Sequence, residues 1–196
     1  MFQSSYESAP AVHFSHRRPI GPEFQLAVSA AWHHGAERLD WIAANGIACA
    51  FTPNPDRLDV IARQLIPYID RGMAVRHHGF FPGKEIGHAH AGSAEDAMQL
   101  HFKAMEAMQG IGEHVLTVHV GLDASLPLNS LRVVQNLTRL VEYGKNIGIT
   151  VSLENLRQGP TTNPRTLRDW AQRSGAGITL DIGHALSSEC VQRKEI

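Results

Sequence analysis

The chain has 196 residues, enough to bury one sizeable core as one domain or at most two. With 43% hydrophobic and 19% charged residues it has a soluble balance, no apolar run approaches the roughly 20 residues of a membrane-spanning helix, and the N-terminus lacks the order of a secretory signal. A net charge of −1 supplies no basic field for a nucleic-acid backbone, and two cysteines make neither a disulfide framework nor a Cys-type zinc site; the unusual count is twelve histidines.

Residues 1–22 read as a mixed N-terminal tail and 23–196 as the folded domain, with the cytoplasm as the default compartment. Phe24–Ala30 is the first expected strand, followed by a short helix over Glu37–Ala44 that Gly46 closes. Ile47–Thr52 is the second strand, with Cys49 as a small core residue and Pro53 and Pro55 as its stop. Asp56–Asp70 reads as a helix with Leu58, Ile61, Leu65 and Ile69 on one face and Gly72 beyond its end. Met73–His78 is the third strand.

The loop over 78–92 is rich in Gly and His, after which Ser93 opens a helix with Asp96 as its capping partner. Phe102, Met105 and Met108 form that helix's buried stripe. His114–Val120 is the fourth strand, and Asn129 caps a helix carrying Leu131, Val134, Leu137 and Val141. Ile149–Asn155 is the fifth strand. Asn163 and Pro164 mark an N-cap followed by Pro at the first helical position, with Leu167 and Trp170 facing the core until Gly175. Ile178–Ile182 is the last strand.

Apolar strands alternating with amphipathic helices mean a parallel sheet with helices outside. The segment Ser29–Gly35 lacks the G-x-G-x-x-G turn of a nucleotide-binding doubly wound sheet. A (β/α)₈ TIM barrel, here truncated to about six βα units, fits better because of where the polar residues fall. Strands end in His77 and His78, in His119, in Glu154 and Asn155, and in Asp181 followed by His184. In a barrel those ends share one rim, where catalytic groups gather.

Two carboxylates brought close at a buried rim are costly unless a cation lies between them, and neutral imidazoles complete such a shell. Each residue also has a plainer reading: His119 as a hydrogen-bonded core histidine, Glu154 paired with Arg157, Asp181 as the N-cap of a turn. His33, His34, His88 and His90 lie in loops, substrate-side or solvated.

In His78 of VRHHGFFPG, His119 of TVHVG, Glu154 of SLEN, and Asp181 with His184 of LDIGHA, the sequence resembles the xylose-isomerase-like barrels, the superfamily of sugar isomerases, sugar epimerases and apurinic-site endonucleases. The resemblance spans roughly Phe24 to Ser188. It implies that Glu154 and Asp181 are metal ligands, and its endonuclease branch adds His78, His119 and His184. The cofactor implied is a divalent metal ion: Zn, Mn, Fe or Mg. Two departures accompany it. The family completes its site from a seventh and an eighth strand, whereas this chain stops at Ile196, and Phe51-Thr52 stands where members often carry a Glu.

The expected function is metal-dependent isomerisation or epimerisation of a small sugar or sugar phosphate by the complete protein, with Glu154 moving the proton and His88, Arg157 and Asn155 at the substrate. The alternatives are phosphodiester cleavage at apurinic DNA, which the near-neutral charge disfavours, and an inactive truncated barrel or metal-binding module. An open arc also leaves strand edges that invite pairing, so an oligomer or a missing C-terminal segment is expected.

Overall fold

The computed structural model describes residues 26–193. The expected tail over 1–22 and the start of the first expected strand lie outside them. Six strands follow in order: β1 (Ala27–Ala31), β2 (Ala48–Thr52), β3 (Val75–Gly79), β4 (Val115–Val118), β5 (Thr150–Glu154) and β6 (Gly177–Thr179). All neighbours are parallel, and the order across the sheet is the order in the chain. A doubly wound sheet reverses direction partway across; a barrel wall does not. Among the described residues the sheet is an open six-strand wall of barrel type.

Helices α1 (Gly35–Ala44), α2 (Ile61–Ile69), α3 (Ala91–Met108), α4 (Ser130–Ile147) and α5 (Pro164–Ser174) cover one face, and α6 (Ile182–Leu186) and α7 (Glu189–Arg193) follow β6. No helix among the described residues is long and apolar enough to cross a membrane. The expected 56–70 helix begins as a 3-10 turn at Leu58–Val60, so Ile61 and Leu65 are buried while Leu58 and Ile69 are only partly covered. Leu131, in the first turn of α4, is 59% exposed.

The cap of α3 is His90, whose Nδ1 accepts the Ser93 N–H, and not Ser93 with Asp96; the helix starts three residues earlier than its pattern suggests. Asn129 caps α4 and Asn163 caps α5 as expected, each side chain accepting a first-turn N–H.

The strands depart from the expected apolar runs in an informative way. Successive residues point to opposite faces, and here the two faces differ in chemistry. Cys49, Phe51, Val75, Leu116, Val118, Val151 and Leu153 face the helices in one buried cluster. The opposite, inner face carries Ser29, Thr52, His78, Thr117, Ser152 and Glu154. Register aligns His78 with Thr117 and Thr117 with Ser152, and the Thr117 hydroxyl bonds the Thr179 hydroxyl at 3.0 Å. His77, adjacent to His78, is therefore turned to the helix side, where its Nε2 meets the Ile111 carbonyl at 2.7 Å.

Packing of α4 on β5 depends on Gly144, where an added Cβ would run into the Ile149 carbonyl and come within 3.1 Å of the Met105 methyl. Gly144→Ala gains about 1 kcal/mol of helix propensity. The obstacle is backbone, however, so the helix must lift off the strand, and a net loss of about 1–3 kcal/mol is expected. Urea unfolding checks it: an unchanged midpoint would show that the contact is slack.

Candidate metal centre

The parallel register sets Val118 beside Leu153 and Glu154 beside Thr179, so His119, one residue past β4, comes level with Glu154 at the C-terminal rim. His78 arrives from β3 on the same face. These side chains line a cleft of 590 Å³ together with Thr52, Phe80, Arg157, Asp181 and His184. Every residue expected to ligate a metal therefore lines the same cleft.

Glu154 is the centre of the arrangement. It is 4% exposed. His119 Nε2 and His184 Nδ1 each lie 3.4 Å from its Oε1, and His78 Nε2 lies 3.5 Å from its Oε2. Burial alone would raise its carboxyl pKa, but hydrogen bonding from His119 and His78, together with their charges, holds it well down at about 2. Arg157 is not its partner, contrary to the plain reading of the sequence.

Each imidazole is oriented from behind. His78 Nδ1 is tied to the Thr52 hydroxyl at 2.8 Å. His119 Nδ1–H donates to the Gly79 carbonyl at 3.4 Å, and His184 Nδ1–H to the Asn155 carbonyl at 3.0 Å. Because a carbonyl only accepts, the ring nitrogen facing it carries the proton. When His119 is charged, its Nε2–H donates to Glu154 Oε1, the state that lowers the carboxyl; when the ring is neutral, Nε2 is a bare lone pair aimed at that oxygen. Two acceptors face each other, which is unfavourable unless a positive charge lies between them.

The spacing agrees with that. Direct charge-assisted N–H···O bonds run about 2.7–2.9 Å. Ligand atoms held about 2.1 Å from one tetrahedral cation stand about 3.4 Å apart. Two groups have ligand atoms close enough to share an ion, namely His78, His119 and Glu154, and Glu154, Asp181 and His184, with Glu154 common to both. The donor set of imidazoles and carboxylates fits a divalent cation.

Asp181 differs from expectation in its setting. β6 ends at Thr179, so Asp181 lies beyond the strand and caps α6, its Oδ1 accepting the His184 N–H at 2.6 Å. The capping role and membership of the second group coexist, because the cap uses one carboxylate oxygen and the other lies 3.8 Å from His184 Nδ1.

Of the three residues expected at substrate, only Arg157 lines the cleft. Asn155 is buried, its amide donating to the Asp181 carbonyl at 2.9 Å and its Oδ1 accepting the Asp181 N–H at 2.8 Å, so it fixes the Asp181–His184 turn from below. His88 is not part of the cleft wall: it pairs as an antiparallel bridge with Leu128, and its Nδ1 accepts the His90 N–H. His33 and His34 do line the cleft, whereas His90 is spent on its helix cap.

Thr52 and Phe80 are cleft residues that the sequence reading misses. Thr52 closes β2 on the inner face, a signal available from strand alternation. Phe80 stacks on His78 (centroids 6.2 Å, planes at 11°) and presents its ring to the edge of His119 (5.7 Å, 88°).

A sequence profile of the family described as "Xylose isomerase-like TIM barrel" matches residues 34–192. An uncharacterized protein of Methanocaldococcus jannaschii, MJ0008, is 32% identical over 73 residues, 37% of this chain and 33% of its own length, so the match spans about a third of that relative. Among solved structures, the 3-keto-D-glucoside 4-epimerase YcjR of E. coli has a TM-score of 0.68 at 15% identity, covering 88% of this chain and 76% of its own. The TTHB071 protein of Thermus thermophilus, in crystals soaked with zinc chloride, has a TM-score of 0.66 at 15% identity, over 83% of this chain and 68% of its own. A D-psicose 3-epimerase studied in the presence of D-fructose has 0.69 at 12% identity, and the chain spans 66% of its length, just under two thirds. At these identities the likeness is one of fold.

Proposed function

The chain belongs to the xylose isomerase-like TIM barrel family, and from that premise we propose that it is a metal-dependent isomerase or epimerase of a small sugar or sugar phosphate. The observation that carries the reading is the buried Glu154 carboxylate faced by His119 Nε2 at 3.4 Å and His78 Nε2 at 3.5 Å. His78, His119, Glu154, Asp181 and His184 are the proposed ligands of Zn, Mn, Fe or Mg. A bound divalent cation supplies Lewis acidity, polarising adjacent hydroxyl and carbonyl oxygens of a sugar.

Glu154 is ionised at neutral pH and is the proposed proton carrier as well as a ligand. Thr52 and Asn155 hold His78 and His184 in place. Arg157, without a carboxylate partner among the described residues, is the proposed contact for a substrate oxygen or phosphate. Phe80 offers an apolar face that keeps water from the two histidines. Neighbouring folds that act on sugars support the substrate class. Both cysteines are free and buried, which fits the reducing cytoplasm as the proposed compartment.

β6 is paired only on its β5 side among the described residues, and Ile178, Leu180, Ile182 and Leu186 beside it are 51–76% exposed. We include pairing of that edge with further chain, from a continuing segment or a second copy, in the active form.

The test is incubation of metal-loaded protein with a panel of ketoses and their phosphates in deuterated water. Carbon-bound deuterium should appear with at least one of them and vanish with chelator. A second reading, metal-assisted cleavage of a phosphodiester at an apurinic site, is favoured by one observation, the two ligand groups sharing Glu154, since such chemistry uses clustered metals. Nicking of an abasic duplex without any sugar exchange would move the assignment there; metal uptake with neither would leave a binding module.

A further inference from the structure

Glu85 lies in the loop after β3 and takes no part in the cleft wall, yet it is 6% exposed. Among the described residues no Lys or Arg pairs with it. Its carboxylate is instead spent on two backbone N–H groups: Oε1 accepts from Gly87 at 3.0 Å and Oε2 from Gly121 at 2.6 Å. Burial raises the carboxyl pKa, and these two bonds, with the nearby His88 and His119, pull it back. An acid kept in so dry a place without a counter-cation is costly, so what it holds is informative.

Gly121 is a junction. Its φ is +81°, and an added Cβ would meet Pro160 Cδ at 2.7 Å. Gly159, with φ +84°, approaches so closely that its own Cβ would meet the Gly121 carbonyl at 2.7 Å. The loops leaving β3, β4 and β5 therefore converge on one residue, and Glu85 is the side chain that bonds its N–H. His119 lies two residues before that point. The imidazole's own bond to the Gly79 carbonyl, at 3.4 Å, is long and holds the ring weakly.

We propose that Glu85 is a positioning residue that fixes the exit of β4 and thereby aims His119 Nε2 at Glu154. The role rests on the metal reading for its consequence but not for its geometry. It differs from a general role in loop stability, because the same loop has an independent tether: Asn136 Nδ2 donates to the Ile86 carbonyl at 2.7 Å and does not touch Gly121.

The experiment compares the full chain with Glu85→Gln and Asn136→Ala. A glutamine has one acceptor oxygen and sets an NH₂ against the second N–H, so one of the two bonds is lost in a side chain of the same size. In metal-free protein, long-range ¹H–¹⁵N spectra of the imidazoles should show the His119 signals shifted or broadened in Glu85→Gln and unchanged in Asn136→Ala. In a Co²⁺ titration, Glu85→Gln should bind about tenfold more weakly, with an altered visible band, as loss of an outer support of a metal ligand does. His119 signals unchanged in Glu85→Gln, or changed equally in Asn136→Ala, overturn the proposal. A wild type that takes up no Co²⁺ refutes the metal reading alone, since the imidazole spectra still decide the role of Glu85.

Discussion

Replacing Glu154 with glutamine is expected to abolish metal uptake at both ligand groups at once, a loss of more than about 100-fold in affinity, beyond the 10–100-fold that loss of an outer support costs. Each group of three has Glu154 as a member, His78 and His119 belong only to the first, and Asp181 and His184 only to the second. His78→Ala should therefore reduce uptake at one group and His184→Ala at the other, while Glu154→Gln reduces both. Glutamine keeps the volume and one acceptor oxygen but has no charge, so the imidazole lone pairs lose the anion that makes a cation worth binding there. Metal content after dialysis, measured on all three variants, checks the pattern. If Glu154→Gln retains the wild-type content, the cluster is an ordinary buried hydrogen-bond network and the reading of the site fails.

Much of that site is legible in the sequence because it depends on two periodic rules. Strand alternation puts Thr52, His78 and Glu154 on one face, and the parallel ladder brings His119 level with Glu154. A Val-Ser-Leu-Glu run thus already carries the direction of its last residue. The same rule, applied strictly, separates His78 from His77, which the sequence presents as a pair and the sheet sends to opposite faces. Asp181 reads as a strand end because Ile178–Ile182 is apolar on both sides of it, but the edge strand, unpaired on one side among the described residues, ends at Thr179.

What is not legible lies in loops. Composition alone points His88 at the substrate. Its segment folds back on the start of α4, with the Asn129 N–H donating to the Gly87 carbonyl and the Ala89 N–H to the Pro127 carbonyl, and nothing periodic in the sequence announces such pairing. Glu85 gives no signal for the same reason: a glutamate beside a lysine in a Gly-rich loop looks solvated, and only loop-on-loop packing buries it. Asn155 reads as a rim residue, but its amide serves the Asp181 backbone instead of the cleft.

Acid sensitivity is the second large effect, and its source is His101. The residue sits in α3, 2% exposed, with Nδ1–H donating to the Ala97 carbonyl at 2.8 Å and its ring edge-on to Phe81 at 5.1 Å. Nε2 has no partner. A proton there would create a buried cation with nothing to pair with, and burial accordingly pushes the imidazole pKa down to about 4. The unfolded chain carries the ordinary value of 6.5.

Between those two values the unfolded state binds a proton that the folded state refuses, so stability rises with pH. The contribution is fully present above 6.5 and is lost as the solution is acidified towards 4; at pH 5 the loss from this one group is on the order of 2 kcal/mol. Glu85 works in the opposite sense, because an acid whose folded pKa is raised becomes less unfavourable as pH falls. A bare stability curve mixes the two. His101→Leu separates them: the difference in unfolding free energy between wild type and variant, measured by denaturant at pH 7.5 and again at pH 5, cancels every other group. Wild type should lose on the order of 2 kcal/mol more than the variant over that interval. A difference independent of pH would mean that His101 takes up its proton while folded, and that Nε2 reaches water or an acceptor by a motion the packing around Phe81 does not allow.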